Sequence, residues 1–171
     1  MTYAEYIGAG SSVTGGLWHL NGNSTDSSGN SNNGTDTSIT YSLANGRFGQ
    51  GAGLNGSSSK IAITDAASLH PTTAFTVSAW IKTSYTANYQ YFFSVCNTYT
   101  VNLYNGFYFG INQTTGYLTS LTGNNTSTTT TVTDNVNVCT GAWTHVAVTF
   151  DNSNIRFYVN GSATSSGANT R

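Results

Sequence analysis

The chain has 171 residues, of which 37% are hydrophobic, enough for one domain with a sizeable core. Only 6% are charged and the formal net charge is −1, against 19 Gly, one Pro and an abundance of Ser, Thr and Asn, so the surface is neutral and rich in hydroxyls and amides. The basic residues Arg47, Lys60, Lys82, Arg156 and Arg171 stand singly, which excludes the clustered footprint that neutralises a nucleic-acid backbone, and no apolar run reaches the roughly 18 to 20 residues that membrane insertion by a helix requires.

Residues 1–16 carry Tyr3, Tyr6 and Ile7 followed by GAGSSVTGG, which reads as a flexible N-terminal arm or linker. The opening MTYAEYIGAG lacks the basic-then-apolar layout of a signal peptide, so the expected extracellular or virion-surface location implies another route out, such as inside an assembled particle. Leu17 to Leu20 is a short strand signal, and residues 21–38 contain no hydrophobe, which predicts a long surface loop of the kind that is functional or held by an ion. Further strands are expected at Ile39–Leu43 and Lys60–Ile63, with one helical turn over Ala66–His70. Phe75–Lys82 alternates apolar and polar residues and is a strong strand; Gln90–Asn97, Thr100–Tyr104, Gly106–Ile111 and Tyr117–Leu121 follow at short spacing. The Thr-rich run Asn124–Thr133 reads as an exposed strand or a loop. Trp143–Phe150, the turn formers Asp151 to Asn154 and Ile155–Val159 make a β-hairpin, its first arm suited to cover on both sides. This pattern predicts one all-β domain over 17–171, a two-sheet antiparallel sandwich or barrel.

The segments WHL at 18–20, DSSGNSNNGT at 26–35, FGQGAGL at 48–54, FTVSAWIK at 75–82, and WTHVAVTFD with RFYVNG in the hairpin appear in one order. Together they closely resemble the concanavalin A-like, laminin G-like domain family over residues 17–161. The resemblance implies a concanavalin A-like jelly roll. It also implies two or three strands after YVNG, where this sequence ends in SATSSGANTR, so the expectation is a domain incomplete at its C-terminus whose sheet is completed by a neighbouring chain or by self-assembly.

Glycosidases need two carboxyl groups facing each other across the scissile bond. The six acids, Glu5, Asp26, Asp36, Asp65, Asp134 and Asp151, include no pair at i, i+2 spacing, so no catalytic residues are assigned and no enzyme is expected. His19, His70 and His145 lack ligand spacing and read as hydrogen-bonded histidines in or near the core. Cys96 and Cys139 are either a disulfide or two small buried hydrophobes. In DSSGNSNNGT one carboxylate precedes closely spaced oxygen donors, a hard environment that suits calcium; the resemblance favours Asp26 as ligand with Asn30 and Asn32 as helpers, while the plain alternative is an Asx-turn in which Asp26 bonds its own loop.

Trp18, Trp80 and Trp143 fall inside the family's core motifs and are expected to pack there. The candidates for glycan or partner contact are Tyr85, Tyr89, Tyr91, Tyr99 and Tyr104, because tyrosine offers a rigid amphipathic face at small entropic cost. The expected function is a non-enzymatic, lectin-like recognition module that binds carbohydrate or a cell-surface polymer in adhesion. The alternative is a structural assembly protein, a virion decoration or fibre subunit or an extracellular filament, that uses the sandwich and the N-terminal arm for subunit contacts.

Overall fold

The computed structural model describes residues 3–8, 13–71, 73–84, 87–95, 106–123 and 129–169. These form antiparallel strands joined by loops and two single 3-10 turns, at Leu43–Asn45 and Ala67–Leu69. The second turn lies where a helical turn is expected from sequence. No helix among the described residues is long and apolar enough to cross a membrane, a statement that says nothing of strands.

The chain divides into two compact units, Met1–Ile81 and Lys82–Arg171. In the first, β1 (Tyr3–Gly8) lies between β2 (Val13–Trp18) and β7 (Phe75–Ile81), all antiparallel. Residues 3–8 and 13–16, read from composition as part of an arm, are therefore strand: paired backbone, which Gly and Ser can supply as well as any residue, decides here over side-chain pattern. β3 (Gly34–Thr37) pairs with β6 (Lys60–Ile63), and β4 (Thr40–Ser42) with β5 (Gly51–Gly53). The long polar loop expected over 21–38 thus ends in a strand. In β7 burial alternates strictly, with Phe75, Val77, Ala79 and Ile81 all buried, as the sequence alternation predicts.

The second unit holds strands of two sheets. One sheet runs β8 (Gln90–Val95), β9 (Phe107–Ile111), β10 (Tyr117–Gly123), β11 (Thr129–Asn137); the other runs β12 (Thr144–Phe150), β13 (Asn154–Val159), β14 (Ser162–Ala168). Phe107, Phe109, Ile111 and Leu118 face inward, and Phe109 stacks on Phe157 of β13 with ring centroids 6.3 Å apart. Both rings are fully buried, and each contributes about 1.5–3 kcal/mol by leaving water. The hairpin β12–β13 has the expected register: Val148 opposes Phe157, Phe150 opposes Ile155, and Ala147 on the other face of β12 is also buried. Strand β14 continues the sheet by one strand beyond β13. Asn160 and Gly161, at φ 50° and 84°, form the two-residue turn that joins them, a turn that needs left-handed backbone at both positions.

Candidate binding face

Two candidate sites came from the sequence, and the structure places each. The Asp26 loop lies in the first unit. Asp26 Oδ1 accepts from the backbone N–H of Leu17 at 2.9 Å and of Ser28 at 2.8 Å; Oδ2 accepts from Ser28 Oγ at 2.8 Å and from Asn32 N–H at 2.9 Å. Burial disfavours the charged carboxylate, but these four donors together outweigh it and hold its pKa below the ordinary value. Asn30 Nδ2 donates to the carbonyls of Thr14 and Gly15, and Asn32 Nδ2 to Gly15 O at 2.8 Å and Ser68 Oγ at 2.9 Å. The indole N–H of the buried Trp18 donates to Asn32 O at 2.8 Å. Both asparagines donate amide hydrogens to backbone carbonyls of β2, the Asn32 Oδ1 lies 3.4 Å from Ser68 Oγ, and both oxygens of Asp26 are engaged. A calcium ion at Asp26 would have to compete with these N–H and O–H donors for both carboxylate oxygens. No group of three or more His, Cys, Asp or Glu able to hold a metal occurs among the described residues.

Tyr89 and Tyr91 lie in the second unit, and the structure brings them together. Their rings are parallel within 3°, with centroids 6.0 Å apart, and they are 40% and 41% exposed. Tyr91 also meets the ring of Tyr108 edge-on at 4.9 Å. The strand pairing explains the cluster. Phe107 and Phe109 face the core, so Tyr108 between them faces outward, and Gly110, opposite Tyr91, leaves that part of the outer face without a side chain. Gly110 cannot be larger: a Cβ there would lie 2.4 Å from Gln90 O. Thr119 and Thr133 share the same outward face on β10 and β11, with hydroxyls 3.3 Å apart. Burial, reinforced by the neighbouring Tyr91 and Tyr89, raises the Tyr108 phenol to about 12 against a smaller opposing hydrogen bond with Thr119, so it stays a neutral hydroxyl.

Tyr85, Tyr99 and Tyr104 lie outside the described residues, as does Cys96, and with it the disulfide reading. Tyr108 was missed in the sequence, although its place between two inward phenylalanines marks it as the outward aromatic of that strand. Trp18 packs in the core as expected, whereas Trp80 and Trp143 are half-buried. Trp80 takes the edge of the exposed Phe48, and the Arg47 guanidinium lies over both rings at 4.9 Å from Phe48 and 5.3 Å from Trp80. His19 is exposed and not a core residue, because Trp18 takes the inward position of that strand end; His145 is half-buried on β12.

A family model described as the concanavalin A-like lectin/glucanases superfamily matches residues 55–171. The chain belongs to that superfamily. Among solved structures, domain 4 of AbnA, a GH43 extracellular arabinanase from Geobacillus stearothermophilus, solved in complex with arabinotriose, is 22% identical with a TM-score of 0.68, over 99% of this chain and 77% of that one. The binding domain of Paraclostridial Mosquitocidal Protein 1 is 16% identical with a TM-score of 0.67, over 98% of this chain and 40% of that one. Botulinum neurotoxin type C, described as entering cells through interaction with two ganglioside molecules, is 12% identical with a TM-score of 0.58, over 99% of this chain and 39% of that one. This chain thus spans less than half the length of the mosquitocidal and botulinum chains. At these identities the likeness establishes the fold, an all-β concanavalin A-like sandwich. No curated protein matches the chain.

Proposed function

We propose that the protein is a non-enzymatic carbohydrate-binding module whose binding face is the outer surface of the β8–β11 sheet, with Tyr89, Tyr91 and Tyr108 as the platform. The observation that carries the reading is the paired, exposed rings of Tyr89 and Tyr91 at the start of β8, with Tyr108 of β9 edge-on to Tyr91. Sugar rings present an apolar C–H face that an aromatic ring covers well, and a platform held by sheet pairing loses little entropy on binding. The superfamily is named for lectins, and one structural neighbour was solved with arabinotriose, which supports the same direction. The described acids support binding over hydrolysis. Asp26 is fully engaged, Asp36 accepts from the Tyr41 hydroxyl, Asp65 pairs with His70, Asp134 accepts from Thr164 and Ser165, and Asp151 pairs with Arg156. Display outside the cell, in adhesion or on a virion, belongs to this reading as the setting in which such a module works.

The test is a glycan array followed by calorimetry on any hit. At least one oligosaccharide should bind, and Tyr91→Ala should weaken it tenfold or more, which corresponds to about 1.4 kcal/mol. Tyr91→Phe, which keeps the ring, should retain most of the affinity. A hit that binds the Tyr91→Ala variant as tightly as the native protein would move the site elsewhere.

A further inference from the structure

From Thr83 to Phe150 the sequence contains one residue of formal charge, Asp134. That residue is buried and turned away from the proposed face: its Oδ2 accepts from Thr164 Oγ1 at 2.8 Å and its Oδ1 from Ser165 Oγ at 2.7 Å, both on β14 of the opposite sheet. The exposed and half-buried positions of the four-stranded sheet, among them Tyr91, Ser94, Tyr108, Thr133, Asn135 and Asn137, carry hydroxyls, amides and apolar groups but no formal charge. The first unit shows that this is not a property of the whole surface, because Arg47, Lys60, Asp36 and Asp65 are all exposed there.

Resting on the proposed function of the same face, we infer that its ligand is an uncharged glycan, a neutral pentose or hexose polymer, and not a uronate- or sialate-bearing one. A carboxylated sugar laid on this face would lose water around its charge and meet no cation in return, whereas neutral hydroxyls exchange water for Thr, Ser and Tyr hydroxyls at little cost. A neutral ligand on an uncharged face also has no long-range attraction for salt to screen. The Tyr108 phenol, pushed up to about 12 by burial and by Tyr91 and Tyr89, adds no charge to the face near neutral pH.

The experiment compares the full chain with neutral polymers (linear arabinan, galactan, mixed-linkage β-glucan) and acidic ones (polygalacturonate, and vesicles carrying a sialylated ganglioside). Binding is measured at 50 and 500 mM NaCl, for the native protein and for Tyr91→Ala and Tyr91→Phe. The expected result is binding of at least one neutral polymer, with Kd changed less than twofold by salt, weakened tenfold or more by Tyr91→Ala and nearly kept by Tyr91→Phe. Tyr91-dependent binding confined to an acidic polymer, with Kd rising as salt is added, overturns the inference and leaves the binding face standing. Binding of any polymer that ignores Tyr91, or no binding at all, overturns both. Circular dichroism of Tyr91→Ala separates loss of the platform from loss of the fold, and because Tyr91 lies outside the buried core the variant should fold.

Discussion

Asp26 shows at the scale of one residue how a sequence signal and its meaning part company. A carboxylate followed by Ser, Asn and Gly is compatible with a cation loop and with an Asx-type plug, and composition does not separate them because both need the same oxygen-rich, flexible backbone. The separation comes from which atoms point at Asp26, and those are N–H and O–H donors. Asp26→Asn, which sets an amide against these donors, should cost about 2–3 kcal/mol in urea denaturation at pH 7. Because the folded-state pKa is depressed, the stabilisation is present above the unfolded value of 3.8 and is lost as pH falls through the lower folded value. The gap between native and variant should therefore close as the pH is taken below 3.8; a gap that stays constant to pH 2.5 would show that ionisation of Asp26 is not its source. Millimolar calcium should shift the melting temperature by less than about 1 °C, since RT ln(1 + [L]/Kd) is small for a ligand with no open site. A rise of several degrees, abolished in Asp26→Asn, would show that the loop reopens around the ion.

Single elements follow from local pattern where side chains alternate, and elude it where the backbone does the pairing. Lys60–Ile63, Phe75–Ile81 and the β12–β13 hairpin lie within a residue or so of where periodicity puts them, since apolar faces specify both strand and register. β14, SATSSGA, has no apolar face, so its strand character comes from pairing with β13 and not from its own residues. The one local signal for it was Asn160-Gly161, the dipeptide of tight hairpins, which was legible as a turn with a further strand beyond. Gly110 is the element-scale hinge of the candidate face. Gly110→Ala puts a Cβ against the Gln90 carbonyl, a backbone atom that cannot rotate away, so β8 and β9 must separate locally. The expected cost is about 1–3 kcal/mol, together with loss of Tyr91-dependent glycan binding even though no tyrosine is changed. Unchanged stability and binding would show that the register shift between Tyr91 and Phe93 of β8 absorbs the methyl group.

For the whole molecule, charge is scarce and its pairs are exposed. Among the described residues the ion pairs are His70–Asp65 and Arg156–Asp151, both at the surface, where solvent screens them. The guanidinium of Arg156, with loop N–H groups, draws the Asp151 carboxyl down to about 2, so that pair persists at all but strongly acid pH without adding much stability. Unfolding free energy measured in urea should therefore differ by less than about 0.5 kcal/mol between 50 and 500 mM NaCl. A larger salt effect would point to a charge network absent from the described residues. By itself the sequence determined the class of the protein: an all-β sandwich with alternating strands, a known family and few charges. Those follow from composition and from a two-residue period, which are local properties. Tertiary structure alone decided which tyrosines meet, that Tyr108 joins Tyr89 and Tyr91 over the gap left by Gly110, and that Asp26 is met by donors. Each of these depends on which residues of distant strands become neighbours, and strand register, not local sequence, makes that choice.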